Sequence, residues 1–268
     1  MPDTGRDMRF SSTLARGLAV LRAFRPSDDG LGNQDISKRT GIPKPTVCRL
    51  THTLCADGYL TQGKRNDKYR LGPAALALGQ IAGASFTFID EATPHMQALA
   101  NRTGALIGIA IQDSVQMLMS KTWTPDDIGR DWMEVGYRMP VLSSSSGRAY
   151  LAGLHPEGLA IFTKLMKDSQ ASEIILAREH AMDEVRKSGF TCVSGEARYS
   201  QNITAVAVPF WPVGMDAPVA FLAGSAASVI DEHDMRVRIG PALVEAVQKL
   251  RSGGKKGTIA KSPSSTLL

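Results

Sequence analysis

The chain has 268 residues, of which 43% are hydrophobic, and its formal charge is +5 at pH 7. This length and composition fit a globular protein of one or two domains, and no apolar run reaches the roughly 20 residues of a membrane helix. The N-terminus lacks the apolar segment of a secretory signal. The three cysteines are too few and too scattered for a disulfide framework or a zinc finger. We therefore expect a reduced, cytoplasmic protein without a membrane segment, a metal or a cofactor.

The positive charge is concentrated in the first third of the chain. Residues 1–85 carry 13 Lys and Arg against 7 Asp and Glu, whereas the remainder carries 18 against 19. A basic globular segment joined to a neutral one suggests a polyanion-binding module attached to a second domain. The alternative is a chance distribution of surface charge.

Two helices are predicted at the start of the basic segment. The first covers residues 11–24, because Leu14, Leu18 and Leu21 recur at i, i+4 and i+7, which is helix spacing, and Phe24 closes this stripe. The second is short and ends before Gly41, a residue suited to the left-handed backbone that follows a helix. The pair predicts a tight helical turn leading into a third helix.

The third helix is predicted over residues 43–54, PKPTVCRLTHTL. Val47, Leu50 and Leu54 fall on one side and would pack against the first two helices. The opposite side offers a cation and hydroxyl groups, which suit base edges and phosphates in the major groove of DNA. The candidate DNA-binding residues on this helix are Lys44, Pro45, Thr46, Arg49, His52 and Thr53.

A hairpin with a basic tip follows this helix. The stretch YLTQGKRNDKYRLG, residues 59–72, predicts two short strands, and Lys64, Arg65 and Lys68 lie at or near its tip. Such cations would contact phosphates and add affinity without reading sequence. Residues 10–72 therefore predict a winged helix-turn-helix domain that binds double-stranded DNA; a plain three-helix bundle is the alternative.

The rest of the chain predicts a second domain of mixed structure. Residues 73–86 are expected to form a linker helix of small residues and leucine, with Leu76, Leu78 and Ile81 at a dimer seam. The linker helix is expected to continue through EATPHMQALANRTG, and DEVRKSGFTCV predicts a helix end followed by a strand after Gly189. Residues 87–252 otherwise combine helical patterns with alternating β-branched stretches, typical of strands. The tail, residues 253–268, is rich in Gly, Ser and Lys and is expected to be disordered.

Over residues 10–250 the sequence resembles the IclR family of bacterial transcriptional regulators. The resemblance rests on LARGLAVLRAF, ISKRTGIPKPTVCRLTHTLCADGYL and YRLGPAALALG in the first domain and on VGYRMPVLSSSSGRAYLAGL in the second. It implies an α+β chain: an N-terminal winged helix-turn-helix, a linker helix and a C-terminal GAF-like effector domain with an antiparallel sheet. It also implies a homodimer or tetramer, and a small-molecule effector, often a carboxylate. By analogy with relatives, the regulated genes would form a catabolic operon and the effector would be a small carboxylate such as an aromatic acid.

The effector site is expected around the serine run, residues 143–146. Hydroxyls and free N–H groups before a helix that begins near Arg148 would form a cup for a carboxylate. The resemblance places Ser144, Ser145 and Ser146 in the pocket. It adds three further candidates, namely Glu196, Ala205 and Ser225.

Two other functions fit the sequence less well than a DNA-binding regulator does. A serine-dependent hydrolase of small esters would use Ser144–Ser146 as nucleophile, but the chain has no G-x-S-x-G elbow and no evident base for such a serine. A metal sensor would need paired His and Cys ligands that the sequence lacks. The sequence therefore favours a DNA-binding regulator over an enzyme.

Overall fold

The computed structural model describes four stretches of the chain: residues 10–63, 68–126, 135–166 and 170–253. The chain divides into two compact units, Met1–Thr87 and Phe88–Leu268. Each unit has its own hydrophobic core and is described by itself. None of the helices in the described stretches is long and apolar enough to cross a membrane.

The first unit consists of four helices and a small antiparallel hairpin. Its elements in chain order are α1 (Ser12–Arg22), α2 (Asn33–Thr40), α3 (Lys44–Ala56), β1 (Leu60–Gln62), β2 (Tyr69–Leu71) and α4 (Pro73–Ala84). Ser11 caps α1 by accepting a hydrogen bond from the Leu14 N–H at 3.3 Å. Gly41 ends α2 with φ of +71°, the left-handed conformation expected there. The order of helix, helix, turn, helix and hairpin is the predicted winged arrangement.

The core of the first unit is small and brings α1, α2, α3 and the hairpin together. Its buried members are Val20, Leu31, Ile36, Ile42, Val47, Leu60 and Tyr69. The predicted first helix is present, but its leucine stripe is not the side that packs on this core. Leu14 and Leu18 are 63% and 51% exposed, whereas Val20 is fully buried and Leu21 only packs at the edge. Because α1 has apolar residues on more than one side, spacing alone did not identify the packed side.

The second unit is built on a five-stranded antiparallel sheet. Its elements are α5 (Phe88–Thr103), β3 (Leu106–Asp113), β4 (Gln116–Trp123), β5 (Arg138–Pro140), α6 (Ser145–Gly153), α7 (Pro156–Leu165), α8 (Ala171–Ser188), β6 (Ile203–Phe210), β7 (Val219–Ala226), α9 (Glu232–Asp234) and α10 (Gly240–Gly253). A π-helical turn, Met235–Ile239, joins α9 to α10. The strands are hydrogen-bonded in the order β5-β4-β3-β7-β6.

Both faces of this sheet are covered by helices, because its central strands carry apolar side chains on each side. One face packs on α5 and α10 through residues such as Met96, Phe221 and Leu243. The other packs on α6, α7 and α8 through residues such as Leu151 and Phe162. The sheet therefore has two separate cores, and the serine run belongs to the second.

Three sequence-based boundaries need correction. The helical pattern predicted to run on beyond residue 84 is interrupted, since α4 ends at Ala84 and α5 begins at Phe88. The helix after the serine run begins at Ser145 rather than near Arg148. The strand predicted after Gly189 is only an isolated bridge between Thr191 and Ala207.

Candidate functional site

One side of α3 is buried and the other faces solvent. Val47 and Thr51 are fully buried, and Leu50 and Leu54 pack at the edge of the core; the predicted apolar strip is confirmed. The Thr51 hydroxyl lies 3.0 Å from the Val47 carbonyl oxygen and 3.2 Å from Asn33 Oδ1, so it ties α3 to the start of α2. The outward residues are Lys44, Pro45, Arg49, His52 and Thr53, which are exposed, and Thr46, which is half-buried.

Two arginines elsewhere in the first unit, Arg39 and Arg70, are paired with carboxylates. Arg39 donates two hydrogen bonds to Asp28, at 2.6 and 2.8 Å, and a third to the Ala23 carbonyl oxygen. The hydrogen bond from Arg39 holds the pKa of Asp28 below its ordinary value. Arg70 pairs with Asp29. Arg49 forms no ion pair with any residue that the structure describes, so its charge is available to a ligand.

Backbone hydrogen bonds hold the described residues of the hairpin in place. The Gly63 N–H donates to the Lys68 carbonyl oxygen at 3.4 Å, and Tyr69 exchanges two backbone hydrogen bonds with Leu31. The side chain of Lys68 is exposed. The predicted tip residues Lys64 and Arg65 lie outside the described residues.

The serine run is buried and its hydroxyls are largely engaged within the fold. Ser144 caps α6: its hydroxyl donates to the Pro140 carbonyl oxygen at 2.6 Å and accepts from the Gly147 N–H at 3.1 Å. The Ser145 hydroxyl donates to the Ala205 carbonyl oxygen at 2.7 Å and accepts from the Val193 N–H at 3.1 Å. The Ser144 and Ser145 hydroxyls therefore already have partners within the fold, and their part in a carboxylate cup stays a prediction.

Ser146 is the exception in the run. Its hydroxyl is buried and lies 3.6 Å from the sulfur of Met139 and 3.3 Å from the Ser144 hydroxyl. Sulfur is a weak acceptor, so this hydroxyl can change partner at little cost. Ser146 is the serine best placed to turn to a ligand.

The structure does not bring all the expected effector residues together. Ala205 lies against the serine run through its carbonyl oxygen. Ser225 is on the opposite face of the sheet, since it pairs with Thr204, whose hydroxyl donates to Ile230 in the other core. Glu196 is exposed on a short 3-10 turn. Because side chains alternate along a strand and Ser225 pairs with Thr204, Ser225 lies on the face opposite to Ala205, and its role in effector binding stays a prediction.

Tyr199 adjoins the serine run, although sequence reasoning did not select it. Its N–H donates to the Ser143 carbonyl oxygen at 3.1 Å, and its ring packs against the α6 side of the sheet. Its hydroxyl is buried near that of Tyr137 but outside hydrogen-bonding geometry. Burial raises the pKa of Tyr199, so its phenol stays neutral and can donate. The segment holding Tyr199 is irregular, and no periodic pattern in the sequence could have placed it.

The site lacks the features of a hydrolase. The Ser144 and Ser145 hydroxyls donate to backbone carbonyl oxygens rather than to a histidine, so neither is activated by a base. No group of three or more His, Cys, Asp or Glu side chains that could hold a metal occurs within the described part of the chain.

Comparison with known proteins gives related regulators. A protein of Comamonas testosteroni named HTH-type transcriptional regulator TsaQ1/TsaQ2 is 27% identical over 245 residues, covering 90% of this chain and 87% of that protein. The Pca regulon regulatory protein of Pseudomonas putida is 26% identical over 252 residues, covering 91% and 84%.

Solved structures have the same fold. An IclR-family transcriptional regulator from Brucella abortus matches with a TM-score of 0.71 and 29% identity over 95% of this chain and 96% of that one. An IclR homolog from Microbacterium hydrocarbonoxydans, complexed with 4-hydroxybenzoate, matches with a TM-score of 0.64 and 22% identity over 90% of this chain and all of that one.

Family models account for both units. Residues 13–64 match the IclR helix-turn-helix domain, and residues 83–251 match the C-terminal domain of bacterial IclR regulators. These matches agree with the winged arrangement around α3 and with the sheet that carries the serine run. The chain therefore belongs to the IclR family of DNA-binding transcriptional regulators.

Proposed function

We propose that this regulator binds operator DNA as a homodimer or tetramer through the exposed face of α3 and responds to a small carboxylate bound beside the serine run. The observation that carries the DNA contact is the division of α3 into a buried side and an exposed side with an unpaired cation. The carboxylate would be a small one such as an aromatic acid, and the regulated genes would form a catabolic operon.

The residues proposed to face DNA are those outside the α3 core strip: Lys44, Pro45, Thr46, Arg49, His52 and Thr53. In helix-turn-helix proteins this side of the third helix lies in the major groove. Lys68, with Lys64 and Arg65 of the tip, would contact phosphates beside it.

A gel-shift titration with DNA from upstream of the protein's own gene tests the DNA contact. Arg49→Ala should weaken specific binding by about 1–3 kcal/mol if the guanidinium bonds a base. Lys64→Ala and Arg65→Ala should weaken all duplexes alike and make binding less dependent on salt. An Arg49→Ala protein with unchanged affinity and unchanged melting temperature would remove Arg49 from the interface.

The dimer is proposed from apolar side chains that one copy leaves in solvent. On α4, Leu76, Leu78 and Ile81 are between 53% and 69% exposed, and no residue of this helix is buried. A leucine-rich helix this exposed needs a partner surface. Sedimentation should show a dimer at micromolar concentration, and Leu76→Asp with Ile81→Asp should give monomers; a monomeric wild type would contradict the assignment.

The effector is proposed to lie on the α6 side of the sheet. Support comes from the Ser146 hydroxyl and the first-turn N–H groups of α6, with the buried phenol of Tyr199 beside the serine loop. Helix N-termini favour anions. Of the earlier candidates, Ala205 lines this region through its carbonyl oxygen, and Ser144 and Ser145 shape it, whereas Glu196 and Ser225 point elsewhere.

The carboxylate can be identified by thermal-shift screening, because a ligand of the folded state raises its apparent stability. Aromatic acids come first, since the Microbacterium homolog was crystallised with 4-hydroxybenzoate. Calorimetric titration of the hit into Ser146→Ala and Tyr199→Phe should show weaker binding than in wild type. Wild-type affinity in both variants would place the ligand elsewhere, and a ligand that binds without changing DNA affinity would not be an effector.

A further inference from the structure

An open cleft of about 600 Å³ separates α1 from the exposed face of α3. Its lining combines two guanidinium groups, three threonine hydroxyls, an imidazole, a thiol and one leucine, and none of these groups is acidic. The lining residues are Thr13 and Arg16 from α1, and Thr46, Cys48, Arg49, Leu50, His52 and Thr53 from α3. The cleft therefore joins the proposed recognition surface to a helix that the sequence assigned only to the core.

Arg16 lies at this cleft because α1 approaches α3 closely beside it. A β-carbon added to Gly17 would lie 4.0 Å from Leu50 Cδ2, so the two helices are in van der Waals range at that point. The side chain of Arg16 is exposed and forms no ion pair with the residues that the structure describes. Arg39 and Arg70 of the same unit are paired with Asp28 and Asp29, so unpaired positive charge remains at the cleft.

The chemistry of the cleft suits a phosphate diester. Guanidinium groups make charge-assisted, often bidentate hydrogen bonds to phosphate oxygens. Thr13 and Thr46 add hydroxyl donors, and Thr13 lies in the first turn of α1, where the helix dipole favours an anion. Because the walls of the major groove are lined by phosphates, a cleft bordering a helix inside that groove meets the DNA backbone.

We propose that the cleft between α1 and α3 binds one backbone phosphate of the operator, with Arg16 as its main ligand. The inference rests on the proposed function of α3 as the helix that enters the major groove. The contact is independent of sequence. It fixes how deeply and at what angle α3 enters, and Arg49 on the other wall is left to discriminate between bases.

Fluorescence anisotropy with the operator and with a scrambled duplex of equal length tests the proposal. Full-length wild type, Arg16→Ala and Arg16→Lys are compared between about 50 and 200 mM salt. Arg25→Ala is the matched control, because it removes the same charge from an exposed residue of the first unit outside the cleft. Circular dichroism and melting temperature establish that each variant is folded.

Arg16→Ala should weaken binding to both duplexes by about tenfold and reduce the slope of log K against log salt by about one. Arg16→Lys should recover part of the affinity. Arg25→Ala should leave both quantities close to wild type. If Arg16→Ala binds DNA as Arg25→Ala does, the proposal is overturned. It is also overturned if Arg16→Ala changes sequence preference but leaves the slope of log K against log salt unchanged.

Operators with single methylphosphonate linkages identify the phosphate. At one position the neutral linkage should weaken DNA binding by wild type but should not weaken binding by Arg16→Ala any further. If no position behaves in this way, the proposal is overturned. If phosphate buffer raises the melting temperature over chloride at equal ionic strength, and the rise requires Arg16, the ligand is free phosphate and the assignment to DNA fails. A wild type that does not prefer its own upstream DNA would instead refute the proposed role of α3.

Discussion

Ser145 is expected to be structural, and Ser145→Ala should destabilise the second unit strongly. Its hydroxyl joins α6 to two distant backbone groups, because it donates to the Ala205 carbonyl oxygen of β6 and accepts from the Val193 N–H. The residue is 5% exposed, so water cannot replace the lost partner. An unpaired buried N–H or carbonyl costs about 1–3 kcal/mol, so losing both hydrogen bonds should lower the free energy of unfolding by about 2–4 kcal/mol. For a unit of this size, that loss lowers the melting temperature by roughly 5–15 °C.

Ser146→Ala is the matched control, since it removes the same hydroxyl from the next residue. That hydroxyl contacts only the Met139 sulfur and Ser144, so the loss should stay below about 1 kcal/mol. Unfolding in urea, followed by tryptophan fluorescence, isolates the second unit, because Trp123, Trp132 and Trp211 all follow residue 88. Equal midpoints for the two variants, or a midpoint of Ser145→Ala close to wild type, would refute the structural reading of Ser145.

Three further predictions follow from local geometry. Gly147→Ala should prevent folding of the second unit, because the added carbon would lie 2.1 Å from the Val141 carbonyl oxygen. Gly41→Ala has open space around the added carbon but a φ of +71°, so it should lower the free energy of unfolding in urea by only about 1 kcal/mol. A soluble, stable Gly147→Ala protein would contradict this reasoning. The pKa of Asp28 is lowered by its pairing with Arg39, so the pair stabilises the first unit at pH values above the unfolded pKa of about 3.9. This stabilisation is lost as the pH falls through the folded pKa of Asp28. In Asp28→Asn, the protection of α2 amides from exchange should therefore depend less on pH below pH 5, and an unchanged pH profile would exclude the pair as the cause. Cys48 is exposed, whereas burial raises the pKa of Cys192 to about 11. A thiol reagent at pH 8 should therefore label Cys48 at once and Cys192 only after unfolding. Equal labelling rates for the two cysteines would show that Cys192 is accessible in the folded protein.

The elements that sequence predicted well are those with a strong local signal. Gly41 marks the end of α2, and the spacing of Val47, Thr51 and Leu54 defines the packed side of α3. Both depend on residues close in the chain, where periodicity and backbone preference act. The family resemblance then supplied the architecture that short patterns in the second half could not.

The misplaced elements depend on contacts between distant residues. Leu14 and Leu18 follow a helical stripe, yet α1 buries Val20 and approaches Leu50 at Gly17, more than thirty positions away along the chain. The partners of Ser145 are Val193 and Ala205, and nothing near Ser145 in the sequence reveals them. Tyr199 was missed for the same reason, because its place beside the serine loop is set by the fold and not by a repeat.

The unequal engagement of Ser145 and Ser146 has a consequence for how this regulator can diverge. A substitution at Ser145 must satisfy two distant backbone groups, so few side chains are compatible with the folded chain. A substitution of Ser146 by a side chain of similar size disturbs only the contacts to the Met139 sulfur and the Ser144 hydroxyl, and we expect the fold to tolerate it at little cost. If the effector binds where we propose, descendants of this sequence can change ligand preference at Ser146 while Ser145 keeps the fold stable, so that a new ligand specificity need not cost folding stability.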